Sequence, residues 1–302
     1  MRRDLRPIVP DHARRLMFAP GLLAGKRILV TGGGTGLGAA MAGRFAGLGA
    51  RVVVCGRRLE VLEESASRWR AGTGADVEVQ ACDVRDGDAV EALMDRIWAR
   101  GPLDVLVNNA AASFVARTER LSLRAVDAVL APTLHGALYC TLAAGRRWID
   151  AGHGGVVLSI LSTSTITGRA FTVPSSIAKS GVLAMTKSLA VEWGPKGVRL
   201  VAIAPGAFPT PGATGQLMPG RRAHADPAER VPLGRVGRHD EIADLAAYLV
   251  SDRAAYVNGE MVAIDGGAHL RTSGVEDLLQ WTDEDWAAIA RPRSPRQSDE
   301  ER

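Results

Sequence analysis

The glycine-rich segment from residue 31 to 38, TGGGTGLG, has the residue types and spacing of a phosphate-binding turn. A β-branched run precedes this segment and a helical pattern follows it. Glycines let the backbone approach a pyrophosphate closely, and the free N–H groups at a helix start bind its charge. The alternative is a flexible glycine turn, which requires neither a strand before it nor a helix after it. We therefore predict a dinucleotide site that includes Gly32, Gly34, Thr35, Gly36, Leu37 and Gly38.

The residues after the second predicted strand indicate which dinucleotide binds. An acidic residue at this place would accept hydrogen bonds from the adenine ribose and repel a 2′-phosphate. The sequence has Arg57 and Arg58 there, with no acid before Glu60. Guanidinium groups favour a phosphate, so the sequence predicts NADP(H) rather than NAD(H). Two solvated arginines at a helix start are the alternative, because arginine is abundant throughout this chain.

A single lysine within an apolar helical pattern is a further candidate for chemistry. Lys179 has Ile177, Val182, Leu183 and Met185 as neighbours along the chain. Burying an ammonium without a partner is costly, so a lysine at such a place is expected to serve a site. The alternative is a lysine whose stem lies on apolar surface while its charge remains in water.

The elements that would position these groups alternate along the chain. Short β-branched runs with few polar interruptions are separated by patterns with apolar residues at three-to-four spacing. Such an alternation predicts an α/β protein, a Rossmann-type doubly wound parallel sheet of seven strands in a single domain. The predicted strands are Arg27 to Thr31, Arg51 to Cys55, Val77 to Ala81, Leu103 to Val107, Val156 to Ile160, Val198 to Ile203 and Met261 to Ile264. The predicted helices are Leu37 to Leu48, Leu59 to Trp69, Ala89 to Trp98, Leu138 to Ile149, Ile177 to Trp193 and Ile242 to Leu249.

The predicted NADP-binding domain covers residues 25–268, between an N-terminal extension, residues 1–24, and a C-terminal tail, residues 269–302. We expect the outermost residues of both ends to be loosely held. Within the domain, residues 205–238 are rich in Gly, Pro and Arg and form a long predicted loop. Loops of this length in compact domains are usually functional lids or disordered, and we expect this one to cover a substrate.

Composition and charge exclude several classes of protein. The formal net charge is +4, but residues 21–290 sum to zero, so no basic surface for nucleic acid is expected. The three cysteines, Cys55, Cys82 and Cys140, have neither disulfide-framework nor metal-ligand spacing. No uninterrupted apolar run approaches the ~20 residues of a membrane span. The N-terminus lacks a secretory apolar core, so we expect a cytoplasmic enzyme.

Further motifs lie at the ends of the predicted strands and resemble those of a known family. They are CDV at residues 82–84, NNAA at 108–111, PG at 205–206 and DGG at 265–267. With these motifs, residues 25–268 resemble the short-chain dehydrogenase/reductase family. Within it the chain is most similar to the 2,4-dienoyl-CoA reductases, on TGGGTGLG, NNAA, VPSSIAKSG, LAVEWGPKG and the tail after Asp265.

The resemblance implies roles in cofactor binding and a state of assembly. Lys179 would hydrogen-bond the nicotinamide ribose, and a homotetramer would be built on its helix and on the helix from Leu134 to Ile149. Asp83, with Val84, would meet the adenine. The remaining implied contacts are Asn109 and Ala110 on the adenosine side, and Pro205, Gly206 and Phe208 at the nicotinamide amide.

The catalytic tyrosine of the family has no counterpart here. Most members carry it four residues before the lysine, where this chain has Ser175, and the dienoyl-CoA reductases carry it eleven residues further upstream, where this chain has Ser164. The family serine corresponds to Ser162. His135 occupies the place of an asparagine that holds the thioester carbonyl, and an imidazole can donate a hydrogen bond or a proton there. The alternatives are a histidine satisfied by backbone and an ordinary serine at a strand end.

These residues predict an NADPH-dependent reductase of a conjugated acyl thioester, with a small-molecule substrate such as an acyl-CoA. His135, Ser164 or Ser175 would replace the missing donor, and Arg221, Arg222 and Arg230 of the long loop would meet the phosphates of CoA. One alternative is a relative that keeps the cofactor fold without the redox step, as a non-redox enzyme or a binding protein in a biosynthetic pathway. A ketone or alcohol dehydrogenase is the other.

Overall fold

Seven parallel strands form one sheet in the order β3-β2-β1-β4-β5-β6-β7, as the sequence predicts. The structure is a computed structural model that describes residues 18–210 and 226–271, Val275, Leu278 and residues 281–290. Because all strands run in one direction, their carboxyl ends meet at one edge of the sheet. The strands are β1 Arg27–Thr31, β2 Arg51–Gly56, β3 Val77–Ala81, β4 Val105–Asn108, β5 Gly155–Ile160, β6 Val198–Pro205 and β7 Met261–Ile264.

Helices cover both faces of this sheet. On one face α1 packs against α8, and on the other α3 packs against α5, which contacts α7. The helices are α1 Gly36–Gly47, α2 Leu59–Thr73, α3 Gly87–Trp98, α4 Leu123–Leu130, α5 Gly136–Ala151, α6 Ser164–Thr167, α7 Val173–Trp193, α8 His239–Val250 and α9 Asp283–Ala290. Five residues in π-helical conformation, Ala131–His135, join α4 to α5. Short 3₁₀ turns lie at Thr118–Arg120, Gly194–Lys196, Pro227–Arg230, Asp252–Ala254 and Ala268–Leu270.

Alternation along the strands divides the core into two layers. Ile28 and Val30 of β1 are fully buried among the residues of α1 and α8, whereas Leu29 between them is buried among those of α3 and α5. Successive side chains of a strand point to opposite faces, so strands covered on both sides need apolar residues at every position. This explains why the predicted strands carry few polar interruptions.

The apolar helix Leu123–Ala151 is long and apolar enough to cross a membrane, with a mean hydropathy of 1.3 in its most apolar window. Half of that window is buried inside the protein. Ala143, Ala144 and Trp148 are fully buried in the core on one face of the sheet. This burial is typical of a core helix, which passes the same test of length and composition as a membrane span.

The structure differs from the sequence prediction mainly at the ends of elements. β4 begins at Val105 rather than at residue 103, and helices α4, α6 and α9 were not predicted. Leu23 lies within the segment assigned to the N-terminal extension, yet it is fully buried and its N–H donates to Leu48 O. Packing against the first helix therefore begins before residue 25. Residues 1–17, most of the C-terminal tail, and Arg221 and Arg222 lie outside the described residues.

Trp148 of α5 is the largest fully buried side chain among the described residues, and its removal should destabilise the protein strongly. Its ring lies where a side chain at Gly155 would stand, and its Nε1 donates to Leu103 O. We expect Trp148→Ala to lower the free energy of unfolding by about 3–5 kcal/mol, since it leaves a large cavity. Urea unfolding measures this loss. Tyr256→Ala, which truncates a fully exposed aromatic side chain, is the control, and equal losses in both variants would contradict the packing described here.

Candidate active site

A cavity of about 560 Å³ lies at the carboxyl edge of the sheet. Residues that follow β1 to β6 line it, as expected of a ligand site in an open parallel sheet. Of the predicted cofactor residues only Gly38 does not line the cavity. Of the predicted catalytic residues Lys179, Ser162, Ser164 and Ser175 line it, and His135 does not.

The glycine turn between β1 and α1 is open on the side that faces the cavity. Gly32 (φ 65°) and Gly36 (φ 55°) adopt backbone conformations that other residues rarely take. A Cβ at Gly32 would lie 3.1 Å from Ala110 Cα. No side chain caps α1 at Thr35, so its first N–H groups remain available to an anion. The residues present therefore fit the pyrophosphate of a dinucleotide.

Thr31 and Asn109 tie this turn to the end of β4. The Thr31 hydroxyl donates to Val107 O (3.2 Å) and accepts from the backbone N–H groups of Asn109 and Ala110, each at 3.0 Å. Asn109 Nδ2 donates to Thr31 O (2.9 Å) and Gly32 O (3.2 Å). Asn109 thus lines the cavity, but its amide nitrogen holds the turn. A Cβ at Gly38 would lie 2.5 Å from the same nitrogen, so Gly38 serves packing.

Positive charge surrounds the outer end of the cavity. Arg57 and Arg58 line it after β2, and both are exposed. Asp83 lines it after β3 and binds Arg85, with Nη2 and Oδ2 2.5 Å apart. The Arg85 hydrogen bonds are the largest cause that lowers the pKa of the Asp83 carboxyl. Arg85 was missed from sequence, although its place two residues after Asp83 could have revealed it.

Lys179 is buried at the inner end of the cavity, with 8% of its surface exposed. Its Nζ donates to Ile160 O at the end of β5. Burial lowers the pKa of Lys179 to about 8, because a low-dielectric environment disfavours the ammonium. An ammonium has three donors, and the structure shows one of them engaged by a described residue.

Three serines lie on the same wall as Lys179. The Ser162 hydroxyl oxygen accepts from Ser164 N at 3.3 Å, so its own proton is free to donate. Neither Ser164 Oγ nor Ser175 Oγ hydrogen-bonds another described residue. Ser175 precedes Lys179 by one helical turn, which places both on one face of α7. The structure therefore brings the predicted lysine and serines together.

His135 is exposed, and the cavity wall does not include it. It is the last residue of the π-helical segment, and its ring centroid lies 6.2 Å from that of Tyr139. A π turn takes more residues than an α turn and so rotates the residues that follow it, which linear spacing does not show. Pro132 of this segment lines the cavity instead. None of the three tyrosines, all within the described residues, lines it.

The described parts of the predicted substrate loop return to the cavity edge. Phe208 lines the cavity and is 8% exposed, and the backbone of Gly237 lies against its ring. Gly237 N donates to Ala207 O at 2.9 Å. Arg230 is exposed and does not line the cavity, and residues 211–225 of the loop are not described. Sequence reasoning also missed Ser113, Arg169 and Thr172, which lie on connections whose course linear spacing does not reveal.

A glycine turn at a helix start, arginines beside it and a buried lysine at the same sheet edge define a dinucleotide-binding enzyme. Comparison with known proteins agrees with this class. A family model described as enoyl-(acyl carrier protein) reductase matches residues 32–269. A probable 2,4-dienoyl-CoA reductase of Bacillus subtilis (strain 168) is 42% identical over 247 residues, which cover 81% of this chain and 97% of that protein.

Two further relatives lead to the same family. An uncharacterized oxidoreductase of Caenorhabditis elegans is 43% identical over 287 residues, covering 93% of this chain and 90% of that protein. The crystal structure of a putative 2-deoxy-D-gluconate 3-dehydrogenase of Agrobacterium tumefaciens with bound NADP superposes with a TM-score of 0.75 at 34% identity, covering 84% of this chain and 100% of that one. The chain belongs to the short-chain dehydrogenase/reductase family and is an oxidoreductase that uses NADP(H).

Removing the arginines after β2 should weaken NADPH binding and leave NADH binding unchanged. A hydrogen bond to a charged group contributes about 1.5–3 kcal/mol, so Arg57→Ala or Arg58→Ala should raise the dissociation constant for NADPH roughly tenfold to a hundredfold. Fluorescence titration with both nucleotides measures the difference. Arg124→Ala on α4, outside the cavity, is the charge-matched control. Equal weakening for NADPH and NADH would contradict the role in 2′-phosphate binding.

Proposed function

We propose that this protein is an NADPH-dependent reductase of a conjugated acyl thioester, similar to a 2,4-dienoyl-CoA reductase. The observation that carries the proposal is the wall formed by Lys179, Ser162, Ser164 and Ser175 beside the cofactor cradle. The similarity to a probable 2,4-dienoyl-CoA reductase over 97% of that protein supports it. A small-molecule substrate fits the cavity, and we expect a cytoplasmic enzyme.

The site must stabilise negative charge on the thioester oxygen. When bound, NADPH supplies a hydride to the far end of the conjugated system. Charge then develops on the carbonyl oxygen, and preorganised hydrogen-bond donors stabilise it. Ser164 and Ser175 hydroxyls have no partner among the described residues and can donate there. His135 has no part in this proposal, because it lies outside the cavity wall.

Lys179 supplies positive charge and a proton to the same place. Its hydrogen bond to Ile160 O fixes the amine at the inner end of the cavity. Two N–H donors remain, one for a ribose hydroxyl of the cofactor and one for a group that faces the substrate. With the tyrosine absent, the Lys179 ammonium is the acidic group on this wall that ionises near neutral pH. Proton transfer from it through Ser175, one turn away on α7, to the carbon beside the thioester carbonyl would complete the reduction and leave a product with one carbon–carbon double bond.

The proposal includes assembly as a homotetramer. Ile177 and Val191 of α7 are 54% and 79% exposed, and Leu123 of α4 is 83% exposed. Exposed apolar side chains on neighbouring helices favour association. A cavity bounded by α7 would then be held rigid by the contact between subunits.

The pH dependence of turnover tests the role of Lys179. Because the ammonium is the active form and its pKa is about 8, kcat should be constant below pH 7 and fall as the pH rises through 8. The assay mixes protein, NADPH and a short 2,4-dienoyl-CoA and follows the absorbance of cofactor and diene together. NADPH affinity across the same pH range separates catalysis from binding. A rate that stays constant to pH 9.5 would rule out Lys179 as the acid.

A tyrosine at Ser164 distinguishes the reductase from a relative without the redox step. If the wild-type wall already supplies donors, the wild type reduces the dienoyl-CoA, and Ser164→Tyr raises kcat by at most about 10²–10³-fold, the value of one such donor. An inactive wild type that binds NADPH, with activity appearing only in Ser164→Tyr, would support the alternative. Ser188→Tyr, at an exposed position of α7 outside the cavity, is the control.

A further inference from the structure

The connection between α6 and α7 brings an arginine to the cavity beside the serine wall. Arg169 lines the cavity together with Ser164, Thr172 and Ser175. Gly168 N donates to Ser164 O (2.9 Å), and Thr172 Oγ1 donates to Arg169 O (3.4 Å). These bonds fix the backbone on both sides of Arg169 next to the serine wall.

The backbone of this connection is strained. Phe171 has a φ of 64°, the only left-handed conformation of a residue other than glycine among the described residues. Its side chain is 56% exposed, so no burial of the ring requires that conformation. Its carbonyl accepts from Ala116 N at 3.0 Å. Strain that persists without a packing reason is frequent at ligand-binding sites, where it holds a side chain in place.

The guanidinium of Arg169 forms no ion pair or hydrogen bond with a described residue. Arg85, which also lines the cavity, is by contrast paired with Asp83. Arg169 follows β5, whereas Arg57 and Arg58 follow β2, three strands away in the sheet order. Three strand spacings are about 14 Å, so Arg169 serves the opposite end of the cavity from the 2′-phosphate arginines.

From these observations we infer that Arg169 binds an anionic group of the substrate, a carboxylate or a phosphate. This inference rests on the proposed function, which identifies the reacting part of the substrate as a conjugated thioester. It adds a second contact, between Arg169 and an anionic group elsewhere on the same substrate. The substrate is then a conjugated thioester with a negative charge, either on its acyl chain or on the carrier that holds the thiol. The Ser113 hydroxyl, which also lines the cavity, can add a further donor to this charge.

Binding to the oxidised complex tests the inference without turnover. With NADP⁺ bound, calorimetry measures three probes: 2,4-hexadienoyl-N-acetylcysteamine, which is neutral, its 6-carboxy analogue, and 2,4-hexadienoyl-CoA. We expect Arg169→Gln to weaken at least one anionic probe roughly tenfold to a hundredfold and to leave the neutral probe within twofold. Loss for the carboxy analogue alone identifies an acyl-chain carboxylate, and loss for the CoA thioester alone identifies the carrier phosphate.

Controls keep the outcome specific to Arg169. Arg124→Gln removes the same charge outside the cavity and should change no affinity, and Arg169→Lys should recover part of the loss. Unchanged NADP⁺ affinity shows that the variant is folded. Equal affinity of Arg169→Gln and wild type for both anionic probes, or no binding of either to wild type, would overturn the inference. Anionic probes that bind through Arg169 without being reduced would leave it standing and refute only the reductase proposal.

Discussion

The hydroxyl of Thr31 is the contact on which the cavity depends. It joins the end of β1 to β4 by one donated and two accepted hydrogen bonds, and the Asn109 amide closes the same junction from the other side. Buried backbone groups at the ends of strands need partners, and here side chains supply them. The glycine turn is consequently held open in front of α1, and both a cofactor and a substrate can meet at one edge of the sheet.

A buried ammonium without a tyrosine is the main chemical feature of the site. Desolvation lowers the pKa of Lys179, and Ile160 O is its one hydrogen-bond partner among the described residues. In a buried site an unpaired hydrogen-bond donor costs free energy, and it stabilises the protein only when a ligand accepts its hydrogen bond. The free donors of the lysine and of its neighbouring serines thus gain acceptors only when ligands fill the cavity. Cofactor binding would therefore also fix the positions of the side chains that contact the reacting atoms of the substrate.

The cavity has arginines at both ends, and we propose that each end binds a different anionic group. The arginines after β2 line one end, where we propose that they bind the 2′-phosphate of the cofactor, and the strained connection after β5 carries Arg169. Electrostatic attraction acts over several ångströms but is non-specific in direction, whereas the serine hydroxyls act only at contact. Charge at the ends with short-range donors between them allows a long, flexible molecule to bind while its reacting atoms are positioned closely.

The sequence by itself determined the family, the sheet, the cofactor and the absence of the tyrosine. Continuous β-branched runs and a glycine turn between strand and helix are local patterns, so the seven strands and most cofactor residues could be predicted. Only the tertiary structure decided that the π-helical segment leaves His135 outside the cavity and that Arg169 lies within it. The physical reason is that a change of helical pitch and the path of a connection depend on packing between elements distant in sequence, which linear spacing does not contain.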